Sequence, residues 1–259
     1  KIISIDLPSG LNPDDGSVES VCPKADVTLS LGHPKIGLFM FPGIDVAGYI
    51  EVIDIGLPAR SNQKIHLDLM EKSWAKNTLP KRPLMSNKGT FGRAMIVAGS
   101  REYLGAAYLA AIAAYRSGAG LVTLAIPESL QHIVAAKAVE PTYLPLRESK
   151  PGILSEKAAD QIIDRLSDYQ YDSLLVGPGM GQTQGSTFVI EKLLYSENLL
   201  LKTVVDADAL NCLANSKTGN WWKLFARNAI ITPHHGEMAR LARSSTNQVL
   251  KTRIDLAIN

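Results

Sequence analysis

Glycine-rich and polar segments follow several apolar runs of this sequence, where predicted strands end. Gly177-Pro178-Gly179-Met180-Gly181 follows one run, Asp206-Ala207-Asp208 follows a second, and Thr232-Pro233-His234 follows a third. Gly99-Ser100 follows an earlier run, and Gly105-Ala106 opens the helix predicted after it. In open α/β sheets, ligands bind beyond the carboxyl ends of the strands. The sequence therefore predicts one small-molecule site built from these segments.

Each segment also has a purely structural explanation. A glycine turn lets backbone approach a ligand closely and point N–H groups at an anion, but it equally fits a tight turn, and it has neither the Lys-Ser/Thr ending of a Walker loop nor a dinucleotide-binding spacing. Asp206 and Asp208 suit a metal-bound phosphate or the cap of a helix beginning near Ala207. His234 suits hydrogen bonding to a heterocycle or carboxamide, or a helix N-terminus satisfied by backbone.

A second candidate lies near the start of the chain. Asp6-Leu7-Pro8-Ser9-Gly10 follows the apolar run from Ile2 to Ile5. At a strand end, Asp6 is placed to abstract a proton or to bind a ribose or amide group. An Asx turn before Pro8 is the structural alternative.

The elements that must position these residues fall into two regions. Residues 1–60 contain short β-rich runs separated by Pro, Gly and Asp turns, which predicts a sheet domain. Residues 61–87 lose that periodicity and have the composition of a connector. Residues 88–259 alternate strands with helices, which predicts an α/β domain with a mostly parallel sheet. The strands predicted there are Ala94 to Val97, Leu121 to Ala125, Ser173 to Val176, Thr203 to Val205 and Ala229 to Ile231, and the helices are Ala106 to Arg116, Glu156 to Leu166, Ser186 to Leu194, Ala207 to Ala214 and Glu237 to Leu241.

Composition narrows the class of protein. The 259 residues are 46% hydrophobic, enough to fill one large or two modest cores. The net charge of +2, from 27 basic and 25 acidic residues, gives no argument for nucleic acid or a membrane surface as partner. Cys22 and Cys212 lie far apart, which fits a reducing compartment and two buried small side chains. We expect a cytoplasmic protein that acts on small molecules.

Both ends of the sequence interrupt predicted elements. The run Ile2 to Ile5 reads as a strand that needs neighbours on both sides, and Leu250 to Asn259 has helical spacing without a stop signal. We therefore expect sequence before Lys1 and after Asn259.

The motifs, taken in order, are similar to those of one family of metabolite-repair enzymes. Asp6-x-Pro-Ser-Gly-Leu-Asn, Pro34-Lys35-x-Gly37 and Pro42-Gly43 resemble the end of NAD(P)H-hydrate epimerase domains. Seven later motifs resemble ADP-dependent NAD(P)H-hydrate dehydratase: Lys88-Gly89-x-Phe-Gly92-Arg93, Gly99-Ser100, Gly105-Ala106-Ala107, Arg116-Ser-Gly118-x-Gly120-Leu-Val122, Gly177-Pro-Gly-x-Gly181, Asp206-Ala-Asp-Ala-Leu-Asn211 and Thr232-Pro-His-x-Gly-Glu237.

The resemblance implies a fold, two reactions and their cofactors. It implies the C-terminal half of a Rossmann-like epimerase domain, which interconverts R and S hydrates, followed by a truncated ribokinase-like domain. The latter uses ADP, or ATP in some members, with Mg²⁺ to phosphorylate the hydrate's hydroxyl, after which phosphate leaves. Asp6 would contact the hydrate and Ser9 a potassium ion in the first domain. Gly105, Ala106, Gly181 and His234 would line the hydrate site in the second. The family's assembly implies a homo-oligomer.

The sequence departs from the family pattern at one decisive place. The family's Gly-x-Gly-Asp, whose Asp deprotonates the attacked hydroxyl, does not occur among these residues. We therefore expect this chain by itself to lack dehydratase turnover. Two alternatives stay open: another ribokinase-like small-molecule kinase, against which the epimerase-like segment argues, and a non-catalytic nucleotide-binding protein.

Overall fold

The computed structural model describes residues 1–58, 67–195, 201–216, 221–223 and 229–258. The chain divides into two compact units, Lys1–Lys81 and Arg82–Asn259. Within the described ranges, no helix has both the length and the apolar character needed to cross a membrane.

The first unit contains a small parallel sheet, in the strand order β1-β2-β3. Ser4, Thr28 and Ser30 are buried on one face of the sheet, while Ile3 and Ile5 are exposed on the other. Because the strands are parallel, the residues that follow β1 and β2 meet at one edge. The elements are β1 (Ile3–Ile5), β2 (Val27–Leu31), α1 (Ile44–Ala47), β3 (Tyr49–Ile53) and α2 (Lys72–Thr78).

The second unit is built on a six-stranded sheet in which every pairing is parallel, as the alternating pattern predicted. Its strand order is β11-β10-β9-β4-β5-β6, and β7 and β8 form a separate antiparallel hairpin. The strands are β4 (Arg93–Val97), β5 (Leu121–Pro127), β6 (Thr142–Leu146), β7 (Glu148–Lys150), β8 (Ile153–Leu154), β9 (Ser173–Val176), β10 (Lys202–Val205) and β11 (Ala229–Ile231). The helices are α3 (Leu104–Ser117), α4 (Gln131–Ala135), α5 (Ala158–Asp168), α6 (Gln184–Leu194), α7 (Asp208–Ala214), α8 (His235–Leu241), α9 (Thr246–Lys251) and α10 (Arg253–Ile258).

Helices cover both faces of this sheet. Alternate residues of β4 enter different cores: Met95 belongs to the cluster that contains Ile162 of α5, and Ile96 belongs to the cluster that contains Ala107 and Ala111 of α3. A sheet buried on both faces needs largely apolar strands, as these are apart from buried Thr123 and Thr203 and polar residues at strand starts such as Ser173 and Lys202. The sheet is therefore a rigid base, and its strand ends carry the polar residues.

The structure differs from the sequence prediction in several elements. Strand β6 and the β7–β8 hairpin were not predicted, and neither was α2, which lies within the predicted connector 61–87. The predicted helix from Leu250 onward is two short helices that meet near Thr252. Cys212 is buried, which raises the pKa of its thiol, but Cys22 is only half-buried, so the prediction that both are buried was wrong for Cys22.

Candidate functional site

The chain reverses its direction of sheet growth between β4 and β9. From β4, it adds β5 and β6 on one side, and then returns to add β9, β10 and β11 on the other. Strands β4 and β9 are paired, with Val97 opposite Val176. Such a reversal leaves a crevice at the carboxyl ends of the two central strands, because their following loops run in opposite directions. The glycine turn 177–181 begins at this crevice.

Two glycines of this turn are required by close backbone packing. A Cβ atom on Gly177 would lie 1.9 Å from the carbonyl oxygen of Asp206. A Cβ on Gly179 would lie 2.7 Å from the Cβ of Tyr103 and 2.8 Å from that of Ala106. Both glycines also have positive φ angles, 125° and 66°, which strain other residues. The turn is therefore packed directly against the first turn of α3.

Two other glycines face open space. A Cβ on Gly105 would meet no atom within 4 Å, and one on Gly181 would meet only the Ser100 hydroxyl oxygen, at 3.9 Å. Since Gly179 contacts Ala106 and Gly181 neighbours Ser100, the structure brings the predicted residues Gly105, Ala106 and Gly181 into one region. The backbone at Gly105 and at Gly181 is therefore accessible, and a flat ligand could lie against it.

Asp208 holds the end of the glycine turn in place. Its carboxylate accepts a hydrogen bond from the backbone N–H of Gly181 at 2.9 Å and one from Nε2 of Gln182 at 3.2 Å. The N-cap position of α7 is Ala207, which makes no side-chain cap and has a φ of 52°. Asp208 therefore shapes the turn rather than capping the helix from the N-cap position. This role of Asp208 could not be predicted from residue types alone, because Asp208 and the glycine turn follow different strands.

His234 lies at the N-cap of α8, beyond the carboxyl end of β11. Its Nδ1 accepts from the backbone N–H of Gly236 at 3.1 Å, and the buried Glu237 accepts from the backbone N–H of His234 at 2.9 Å, so the two form a reciprocal capping box. The His234 Nε2 lies 3.2 Å from Glu237, and the His234 side chain is 67% exposed. The structural explanation for His234 is thus present, and a ligand would compete with Glu237 for the exposed Nε2 atom. His234 follows β11, and the glycine turn follows β9, which is two strands away in the sheet. The two strands are therefore separated by about 10 Å across the sheet.

Asp6 forms a compact ion pair in the first unit. Its carboxylate pairs with Nζ of Lys35 and accepts from the backbone N–H of Leu31 at 3.0 Å. Lys35 Nζ also donates to the carbonyl oxygen of Leu31 at 2.8 Å. Asp6 has a φ of 67°, unusual for a residue with a side chain. The sequence motifs included both Asp6 and Lys35, but the pairing of the two side chains emerges only from the structure.

The ion pair changes the acidity of Asp6. The hydrogen bond from Lys35, with that from the Leu31 backbone, lowers the pKa of the Asp6 carboxyl below its ordinary value of 3.8. Asp6 is therefore an anion at neutral pH, as a proton acceptor or a hydrogen-bond acceptor must be. The Asp6 side chain is 40% exposed, so a ligand can reach it.

The resemblance implies a potassium ion and a magnesium ion, and the described residues can be compared with what these ions need. Among the described residues, no group of three or more His, Cys, Asp or Glu side chains could hold a metal ion. Ser9 lies in an exposed turn after Pro8, three residues from Asp6. A potassium ion at Ser9 would need further oxygen ligands besides this hydroxyl.

Comparison with known proteins points to one family. The family model for NAD(P)H-hydrate dehydratase matches residues 94–257, and that for the YjeF-related protein N-terminus matches residues 1–37. Bifunctional NAD(P)H-hydrate repair enzymes from Moorella thermoacetica and Dictyoglomus turgidum are 37% and 32% identical over 98% and 100% of this chain. The chain covers 47% and 50% of their lengths, so it spans about half of the curated relatives it matches.

Solved structures of similar fold agree with the family match. An ADP/ATP-dependent NAD(P)H-hydrate dehydratase from Bacillus subtilis, co-crystallised with ATP and Mg²⁺, is 26% identical with a TM-score of 0.58, over 74% of this chain and 62% of that chain. A ribokinase-like superfamily protein from Enterococcus faecalis, 23% identical over 69% of this chain and 58% of that chain, has a TM-score of 0.57 and shows the shared fold alone.

Proposed function

Since this chain belongs to the NAD(P)H-hydrate dehydratase family, we propose that its second unit binds the S form of NAD(P)H-hydrate at the reversal point of the sheet. The observation that carries the proposal is the glycine turn, with Gly177 and Gly179 locked by packing and Gly105 and Gly181 facing free space. In the intact enzyme, the reaction is dehydration to NAD(P)H at the expense of ADP, or of ATP.

The residues of this unit would bind and orient the hydrate. Backbone at Gly105 and Gly181 allows a planar ring to approach, Ala106 supplies a small surface, and the exposed edge of His234 suits the carboxamide or the hydroxyl. The Gly-x-Gly-Asp base of the family is absent from these 259 residues. We propose that this base is supplied by other residues of the intact enzyme.

Magnesium would accompany the nucleotide rather than a protein cage. Mg²⁺ keeps several waters and is often held by substrate phosphates with one or two carboxylates. The described residues gather no group of three or more His, Cys, Asp or Glu side chains, and we assign no step to the metal. Its presence with ATP in the Bacillus subtilis crystals supports it as a cofactor.

The first unit would contribute to a Rossmann-like epimerase domain that interconverts the R and S hydrates. Residues 1–37 match the YjeF-related N-terminal family, and Asp6 is an exposed anion fixed by Lys35. Asp6 would contact the hydrate, and Ser9 would contribute one oxygen to a potassium ion. The match of residues 1–37 also disfavours a ribokinase-like kinase for another substrate. Homo-oligomerisation and a cytoplasmic location remain predictions from the family resemblance and the sequence.

Substitution of Gly105 tests the proposed hydrate site. Gly105→Ala adds a Cβ that meets nothing, so the fold should tolerate it, while Gly105→Leu fills the free space where the ring would lie. We expect the 259-residue chain to bind the S hydrate of NADPH in a calorimetric titration, and Gly105→Leu to weaken binding at least about tenfold because of steric overlap. The thermal midpoint of Gly105→Leu should stay near that of Gly105→Ala.

Two results would contradict the proposal. If the folded chain bound no hydrate at all, the proposed function would be wrong. Equal affinity in Gly105→Leu, with the fold retained, would move the site away from the glycine turn.

A further inference from the structure

Asp6, which follows β1, can act in one of two ways at neutral pH: it can abstract a proton, or it can accept a hydrogen bond from a ligand. The contacts of its two carboxylate oxygens distinguish these roles. Oδ1 accepts hydrogen bonds from Nζ of Lys35 and from the backbone N–H of Leu31. Oδ2 accepts no hydrogen bond from the residues that the structure describes. Since the side chain is 40% exposed, Oδ2 is the oxygen that a ligand can reach.

Lys35 uses its donors within the protein. An ammonium group carries three N–H donors. Besides Asp6, Nζ of Lys35 donates to the carbonyl oxygen of Leu31 at 2.8 Å and, more weakly, to Oγ of Ser30 at 3.4 Å. Ser30 is buried, and its hydroxyl donates to the carbonyl oxygen of His33 at 3.1 Å, which leaves its lone pairs for Lys35. Lys35 is therefore directed at Asp6 and at β2, and not at a ligand.

The backbone holds Asp6 at the same place. Its N–H donates to the carbonyl oxygen of Leu29 in β2 at 2.8 Å. The main chain and Oδ1 of Asp6 are thus both bonded to residues of β2, and the side chain has little freedom to turn. Oδ2 is presented in one fixed position.

These contacts make Asp6 a poor base. A carboxylate that already accepts two hydrogen bonds, one of them from an ammonium group, holds a further proton weakly. The same contacts lower the pKa of Asp6, whereas a general base works best when its pKa lies near the pH of the reaction. As an acceptor of hydrogen bonds, in contrast, a fixed anion is strong.

We infer that Lys35 is a positioning residue, which fixes Asp6 so that Oδ2 accepts a hydrogen bond from the ligand and does not abstract a proton from it. This inference rests on the proposed function of the first unit, in which the ligand is the hydrate of NADH or NADPH. The donor is a hydroxyl or the carboxamide N–H of that ligand. The proton transfers of epimerisation then belong to groups other than Asp6.

Asp6→Asn in the intact enzyme separates the two roles. Asn tolerates a positive φ, so the turn should keep its backbone. Because Lys35 and Leu31 both donate at the Oδ1 position, the amide oxygen should stay there, and the amide nitrogen, a donor, should take the place of Oδ2. Conversion of the R hydrate of NADPH into the S hydrate is followed by proton NMR, without ADP or ATP, so that only epimerisation is measured. We expect KM to rise about tenfold or more, and kcat to change by less than about threefold.

Lys35→Met tests the positioning role. It keeps most of the aliphatic stem but frees the carboxylate, which must then be ordered when the ligand binds, so we expect KM to rise about threefold with kcat unchanged. In the Asp6→Asn background, Lys35→Met should have no further effect on KM, because Lys35 acts through Asp6. The control is Lys24→Met, which removes an exposed lysine of the first unit and should behave like the parent enzyme. Thermal midpoints of all variants show that they fold.

Three outcomes would overturn the inference and leave the proposed epimerase standing. A fall in kcat of about 10²-fold or more in Asp6→Asn, with KM unchanged, would make Asp6 the base. An equal rise in KM for Lys35→Met in the parent and in the Asp6→Asn background would mean that Lys35 acts independently of Asp6. A KM for Lys35→Met equal to that of Lys24→Met would remove the positioning role. If the intact parent enzyme interconverted no hydrate, the proposed function of the first unit would be wrong, and the inference with it.

Discussion

The turn after β1 and the turn after β9 both follow parallel strands, yet they are fixed by different interactions. The Asp6 turn is held by an ion pair with Lys35 and a hydrogen bond from Leu31. The glycine turn 177–181 is packed directly against the Asp206 carbonyl oxygen and the Cβ atoms of Tyr103 and Ala106, and only its end, at Gly181, is held by a carboxylate, that of Asp208. A turn fixed by charge responds to pH and tolerates changes of shape, whereas a turn fixed by contact responds to added volume. Substitutions in the two turns should therefore change stability in different ways.

The largest effect is expected at Gly177. Gly177→Ala places a Cβ 1.9 Å from the Asp206 carbonyl oxygen at a φ of 125°. Overpacking and left-handed strain together should lower the free energy of unfolding of the second unit by about 3 kcal/mol, measured by urea unfolding with circular dichroism. Gly105→Ala is the matched control: its Cβ is unopposed and it lies in the first turn of α3, so we expect a gain of up to about 0.5–1 kcal/mol. A loss below about 1 kcal/mol for Gly177→Ala would show that the turn is not fixed by contact.

An intermediate effect is expected at His234, where capping and ligand binding overlap. His234→Ala should weaken hydrate binding about tenfold, by loss of one hydrogen bond, and should cost about 0.5–1 kcal/mol of stability from the lost cap. His234→Asn separates the two roles, since Asn caps well but carries no imidazole. His235→Ala, at an exposed position of α8, should change neither quantity.

Calorimetric titration and thermal unfolding of the three histidine variants decide between these roles. If His234→Asn restores both stability and affinity, His234 is a structural residue only. If His235→Ala is the damaging variant, the motif has been assigned in the wrong register.

Much of the second unit could be predicted because its signals are local. The buried strands are largely apolar, and the rule that ligands bind at carboxyl ends singled out the segments that contain Gly181 and Ala106, which stay predictions as site residues. Strand β6 was missed because Pro145 interrupts its pattern, although proline is tolerated on an edge strand, which β6 is. Helix α2 was missed because its residues are exposed and give no apolar stripe.

The interactions that complete each candidate site are distant in sequence and could not be predicted from residue types. Asp208 binds the N–H of Gly181, and Lys35 binds Asp6. Sequence spacing gives no distance between residues on different loops. The strand order, which makes the reversal between β4 and β9, was likewise not available before the structure.

The smallest effect is expected at Lys35, where the interaction is exposed to solvent. Lys35→Met should raise the pKa of Asp6 toward its ordinary value of 3.8, because the main cause of its lowering is removed. A carboxyl with a lowered folded-state pKa stabilises the fold above the unfolded-state pKa, and this stability is lost as the pH falls through the folded-state pKa. Parent and variant should therefore differ by less than about 1 kcal/mol near neutral pH.

Carboxyl-carbon NMR of Asp6 during an acid titration measures the shift in pKa directly. The stabilities of parent and Lys35→Met should converge as the pH falls below 3.8 and Asp6 becomes protonated. An unchanged pKa of Asp6 in Lys35→Met would mean that the Leu31 N–H alone sets its acidity. A difference in stability that persists after Asp6 is protonated would assign Lys35 a packing role.

The strand order also has a consequence for how the chain folds. Strands β4, β5 and β6 follow one another in the chain and can pair early, but β9, the other neighbour of β4, comes only after the hairpin and α5. Pairing of β4 with β9 closes a long loop, which is slow compared with pairing of consecutive elements. Until then, β4 presents an apolar edge with unpaired N–H and C=O groups, open to strands of other chains. The edge of β4 that later pairs with β9 is thus open to mispairing during synthesis.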